Sequence, residues 1–115
     1  MIVRQAKYFS NQIEKIKKRY PNIEVDVLEE VSRFNQGKVI ALGHNLFKVK
    51  VKNSDIPCGK SGGYRVIIFH EKIKNTVIPL IVYSKRAREN VSKKEIILSL
   101  KEVLREIKES NSTSP

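Results

Sequence analysis

Phe47-Lys48-Val49-Lys50-Val51-Lys52 alternates apolar and lysine side chains without a break. A period of two is that of a half-buried strand, in which successive side chains point to opposite faces. Phe47, Val49 and Val51 therefore share one face, and Lys48, Lys50 and Lys52 share the other. A second strand follows at Tyr64-Arg65-Val66-Ile67-Ile68-Phe69, rich in β-branched and aromatic residues. Residues 53–63 between them hold Pro57, Gly59, Gly62 and Gly63, and read as a loop. After a turn at Lys74-Asn75 a third strand runs from Val77 to Tyr83. Pro79 inside it is tolerable only at an edge or a bulge. Three consecutive strands most simply form an antiparallel meander.

Working outward, residues 2–5 suit a short first strand. Phe9, Ile13, Ile16 and Tyr20 recur at helical spacing, which predicts a helix from about Lys7 to Tyr20. Pro21 ends it and suits the first turn of another. Val27, Leu28, Val31 and Phe34 mark that second helix, with Gly37 as its terminator. On the other side, Ser92-Lys93-Lys94-Glu95 is a capping box, the serine capping and the glutamate reaching back. Ile96, Ile97, Leu100, Val103, Leu104 and Ile107 then form an apolar stripe. The order β-α-α-β-β-β-α predicts an α+β fold, an antiparallel sheet with its helices packed on one side. Residues 1–109 read as one domain, and the polar stretch 110–115 as a disordered tail.

The chain of 115 residues carries 23 Lys and Arg against 12 Asp and Glu, a net charge of +11. The excess is not spread evenly: residues 48–88 hold +8, residues 1–47 hold +3, and residues 89–115 are neutral. Such a segment favours polyanionic partners, since each phosphate contact releases condensed counterions. Lys48, Lys50 and Lys52, with Arg65, Lys85, Arg86 and Arg88, would then make a phosphate-binding surface; a solubilising face is the plainer reading of the same lysines. No apolar stretch reaches the roughly 18 residues needed to cross a membrane, so a membrane is not an expected partner. Met1-Ile2-Val3-Arg4 carries no signal-peptide pattern. Cys58 stands alone, which excludes an internal disulfide and fits a reducing cytoplasm.

Gly59-Lys60-Ser61 has the look of a phosphate loop, but Ser54 stands where that motif needs glycine, and a strand follows where it needs a helix. His44 and His70 are candidate acid–base groups with nothing to bring them together. Cys58 has neither a metal-ligand spacing nor an identifiable base, so no metal or other cofactor is expected. Tyr64 and Tyr83 offer rings for stacking on bases, or for core packing. Asp55 and Glu71 are the only acids between residues 48 and 88. Any chemistry in that segment falls to Lys and Arg.

Three stretches together resemble a known family. Gly59-Lys60-Ser61-Gly62-Gly63-Tyr64-Arg65-Val66-Ile67 is similar to the central motif of RelE/HigB-type toxins. Leu46–Val51 looks like the family's lysine-alternating strand, and Ile81–Ser92 like its strand-to-helix segment. The resemblance implies a compact microbial ribonuclease fold and a ribosome-dependent, metal-free cut in mRNA that arrests translation. It implies as partners a cognate antitoxin, mRNA and the ribosome with its 16S rRNA. Position by position, Lys48 and Lys50 match the family's catalytic lysines, Arg65 its central-strand arginine and Arg86 the arginine after its last strand. Lys52, Lys60, Tyr64, Lys85 and Arg88 are the expected RNA contacts. Some members place a catalytic tyrosine where this chain has Ser92.

The chemistry suits these residue types. When a 2′-hydroxyl attacks the adjacent phosphate, arginines hold the charged oxygens of the developing state. A lysine crowded by other cations has a lowered proton affinity, which suits Lys48 or Lys50 as the base. Two other readings use the same surface: a ParE-like inhibitor of gyrase, and an RNA-binding module without activity.

Overall fold

The computed structural model describes residues 1–35 and 38–112. In chain order these form β1 (Ile2–Val3), α1 (Lys7–Lys17), α2 (Ile23–Val31), β2 (Ile40–Gly43), β3 (Leu46–Val51), β4 (Tyr64–Glu71), β5 (Thr76–Ser84) and α3 (Lys93–Ser112). The expected meander is present: β3 pairs antiparallel with β4, and β4 with β5. The α+β class stands, and the sheet order is β1-β5-β4-β3-β2.

Two strands differ from expectation. β2 is an addition, an exposed edge strand paired antiparallel with β3. His44 and Asn45 join the two at φ 55° and 61°, the double left-handed conformation of a tight two-residue hairpin turn. β1 is shorter than residues 2–5 and lies parallel to β5, reaching only Thr76 and Val77. Beyond it, Gln12 of α1 takes over the edge of β5. Its side-chain amide donates to the Leu80 carbonyl at 2.9 Å and accepts from the Val82 N–H at 3.1 Å. Pro79 sits at a break in register between β4 and β5, where Ile67 faces Ile81 and Ile68 faces Pro79. The bulge accommodates a residue that has no N–H to give.

The helices lie on both sides of the sheet, which corrects the one-sided packing expected. Phe47, Val49, Val51, Tyr64, Val66 and Ile68 are buried with Phe9 and Ile13 of α1 and Ile23, Val27 and Val31 of α2. Leu46, Ile67, Ile81 and Tyr83, of the opposite parity, are buried with Val91 and with Ile96 and Val103 of α3. The reason is compositional: β4 and β5 are apolar on both faces, so each face needs a cover.

Element ends also depart from the sequence pattern. α1 stops at Lys17, and Tyr20 packs edge-on against Tyr64, ring centroids 6.3 Å apart. α2 begins at Ile23 and ends at Val31; Gly37, its expected terminator, lies outside the described residues. Ala6 has no side chain to cap α1, and Glu106 of α3 does so instead, accepting from the Lys7 and Tyr8 N–H groups at 2.6 and 3.1 Å. α3 continues to Ser112, three residues into the stretch read as a tail, with Arg105 bonded to Glu102 and Glu109 along its surface. Residues 113–115 lie outside the described residues.

Candidate active site

Strand register decides which functional side chains meet. Lys50 lies opposite Arg65, and Arg65 opposite Tyr83, one residue from each of β3, β4 and β5. Directly opposite residues share a face, so these three form a row across the sheet. Lys48 occupies the next position on that face, opposite Ile67. As alternation predicts, Phe47, Val49 and Val51 are in the α1/α2 core on the reverse side.

The row is graded from water to core. Lys50 and Lys52 are exposed and Lys48 is half-buried, but Arg65 is only 6% exposed. An exposed arginine joining the lysines was expected; α3 and the loop before it cover this half of the face instead. Arg65 Nη1 donates to the carbonyls of Lys60 and Tyr64 at 3.0 and 3.2 Å. It thereby ties the 3-10 turn Lys60–Gly62 to the strand that follows. Lys60 in turn bonds Glu30 of α2 at 2.9 Å.

The loop from Lys85 to Val91 closes the other flank. The Lys85 N–H donates to the Gly63 carbonyl at 2.9 Å, and Lys85 Nζ to the Glu89 carbonyl at 3.1 Å. Lys48 Nζ donates to the Asn90 side chain at 3.3 Å. Arg86 is exposed and makes no ion pair among the described residues. Arg88 is engaged: both its terminal nitrogens bond Glu95, and Nε donates to the Asn90 carbonyl at 2.9 Å. Its guanidinium stands 5.9 Å from the centre of the Tyr83 ring. The pair holds Glu95 below and Arg88 above their ordinary titration ranges, in each case through the hydrogen bond between them.

A family model described as the RelE toxin of the RelE/RelB toxin–antitoxin system matches residues 6–112. The chain belongs to the RelE toxin family. It is the toxin half of a toxin–antitoxin pair, and an antitoxin is its family-defined partner. No curated protein matches it.

Within this RelE toxin the residues singled out from sequence divide into three groups. Lys50, Lys52 and Arg86 are exposed around the row. Lys48, Lys60, Arg65, Lys85 and Arg88 are present there, but each already holds a bond within the protein. Tyr64 is a correction: it is fully buried on the reverse face, against Tyr20, and cannot stack on a base. Among the described residues its hydroxyl has no hydrogen-bond partner, and burial first, then Asp26 and Asp55, push its titration well above the usual range. Tyr83 is on the site's face, 5% exposed. Burial raises its titration, while the charges of Arg65 and Arg88 pull the other way.

Ser92 caps α3 as read, accepting from the Glu95 N–H at 3.1 Å. The glutamate does not reach back, because Arg88 holds its carboxylate. His70 is buried, bonds Asn75 at 2.9 Å and packs on Phe34. His44 is in the exposed hairpin turn. Cys58 donates weakly to the Asn53 carbonyl at 3.9 Å. Among the described residues no three His, Cys, Asp or Glu side chains gather into a metal-binding group, and the groups brought together at the row are Lys, Arg, Asn and Tyr. No helix among them is long and apolar enough to cross a membrane. Asn90 and the bond from Arg88 to Glu95, which hold the loop, were missed because hydrogen bonds of this kind leave no periodic signal.

Proposed function

We propose that this RelE toxin is an endoribonuclease that cuts mRNA on the ribosome, in the cytoplasm, and so arrests translation. The observation that carries the reading is the row Lys50–Arg65 with Lys48 beside it, cations at one sheet position flanked by the exposed Arg86. Lys50 or Lys48 takes the proton of the 2′-hydroxyl. The 2′-oxygen bonds to phosphorus as the bond from phosphorus to the 5′-oxygen breaks, and the leaving 5′-oxygen takes a proton from water. Charge develops on the phosphate oxygens, where Arg86 supplies an accessible guanidinium and Arg65 a buried one. Preorganised charge of this kind is worth roughly 10²–10³ in rate per donor. Lys52 and Lys85 contact flanking phosphates, and the ribosome's 16S rRNA lies against the same basic surface. The route calls for no cofactor.

This chemistry leaves a cyclic phosphate on the upstream fragment and a 5′-hydroxyl on the downstream one. Downstream fragments from programmed ribosomes are therefore expected to accept label from polynucleotide kinase without phosphatase treatment. Fragments that label only after phosphatase treatment would carry a 5′-phosphate, and would contradict attack by the 2′-oxygen.

A further inference from the structure

β2 covers β3 only as far as Lys48, which pairs with Ile40. Past that point a cleft of about 660 Å³ opens between the edge of β3 and the end of α2. Its lining includes five cations, Arg33, Lys38, Lys48, Lys50 and Lys60, against a single acid, Glu30. Glu30 is already bonded to Lys60. Arg33 is paired with Glu29 at 2.7 Å on the helix surface, an exposed pair that screens little. Lys38, Lys48 and Lys50 have no ion pair among the described residues. Phe34, half-buried against Phe47, gives the cleft an aromatic wall.

We propose that this cleft is a subsite for single-stranded RNA, holding phosphates of the strand next to the bond that is cut. The inference rests on the ribonuclease reading and extends it to Arg33 and Lys38, two residues that sequence patterning does not bring near the lysine strand. Lys48 and Lys50 belong to both sites, so a strand whose scissile phosphate meets the Lys50–Arg65 row is led into the cleft by its own continuity. Strand rise sets the two lysines roughly 7 Å apart along β3, a separation of the order of that between neighbouring phosphates in an extended strand. The volume is that of an ordinary ligand site, about 300–1,000 Å³. Clustered cations beside an aromatic ring are the general means of holding single strands. An acidic peptide shares the charge complementarity, but nothing ties it to the catalytic lysines.

The test uses the double variant Arg33→Ala/Lys38→Ala, both positions being exposed, with Lys101→Ala/Lys108→Ala on the exposed face of α3 as a control of equal charge. Each is assayed by single-turnover cleavage on programmed ribosomes, and by filter binding to a 2′-O-methyl oligoribonucleotide that cannot be cut. Circular dichroism confirms the fold. The cleft variant is expected to bind the oligonucleotide tenfold or more weakly. Its salt slope should be smaller by about 1.4, some 0.7 for each lost contact, with the rate at saturation within twofold of wild type. The control should bind within twofold of wild type. Equal loss in both variants, or none in the cleft variant, overturns the subsite. If wild type cuts nothing, the ribonuclease reading fails, and the binding arm still decides the cleft.

Discussion

Gly63→Ala is expected to destabilise the protein by on the order of 4 kcal/mol, among the largest effects a single substitution produces. A Cβ at Gly63 would stand 2.1 Å from the Val51 carbonyl oxygen and 2.9 Å from the Asn53 nitrogen. Both are backbone atoms, so no side chain can swing aside to make room. The clash falls where β3 and β4 close, at the Val51–Tyr64 pair. It also disturbs the carbonyl that receives the Lys85 N–H. Both flanks of the candidate site would shift together. Gly59→Ala is the matched control, since its Cβ meets nothing within 4 Å; it should change stability by no more than about 0.5 kcal/mol. Urea midpoints compare the two directly. A Gly63→Ala protein that unfolds near the wild-type midpoint would show that the strands do not approach as closely as described.

Arg65→Ala is expected to slow cleavage by roughly 10²–10³. It should also cost about 1–3 kcal/mol, because the Lys60 and Tyr64 carbonyls lose a buried donor. The two effects are separable with Arg65→Lys. An ammonium keeps the charge and can reach one carbonyl, but it lacks the planar fork of a guanidinium. The lysine variant should recover much of the stability while its rate stays at least about tenfold low, measured where circular dichroism shows it folded. Wild-type rates in Arg65→Lys would mean that Arg65 only holds the turn.

How far the sequence led can be read residue by residue. β3, β4 and β5 were legible because alternation and β-branching are local properties of a strand. β2 was not, since Ile40, Leu42 and their neighbours are exposed and an edge strand carries no burial pattern. The two-sided placement of the helices was available in principle: Tyr64–Phe69 is apolar at both parities. Parity also separates the tyrosines. Tyr64 is adjacent to Arg65 and must face away from it, whereas Tyr83 reaches Arg65's face only through a register that the bulge at Pro79 resets. Lys48 and Lys50 were visible by alternation alone. Gln12 on β5, Glu106 on α1 and Arg88 on Glu95 were not, because each depends on packing between distant elements or on a loop's path. The same limit hid the cleft, whose cations come from the turn after α2, the segment before β2, β3 and the 3-10 turn.

The most direct test of the ribonuclease reading is primer extension on a reporter mRNA in a bacterial host expressing the wild-type toxin, with an untranslated copy of the same transcript alongside. Growth arrest is expected, with discrete cuts inside the translated frame and none in the untranslated copy. Arrest with both transcripts intact would contradict it, and would point instead to a toxin that acts on gyrase.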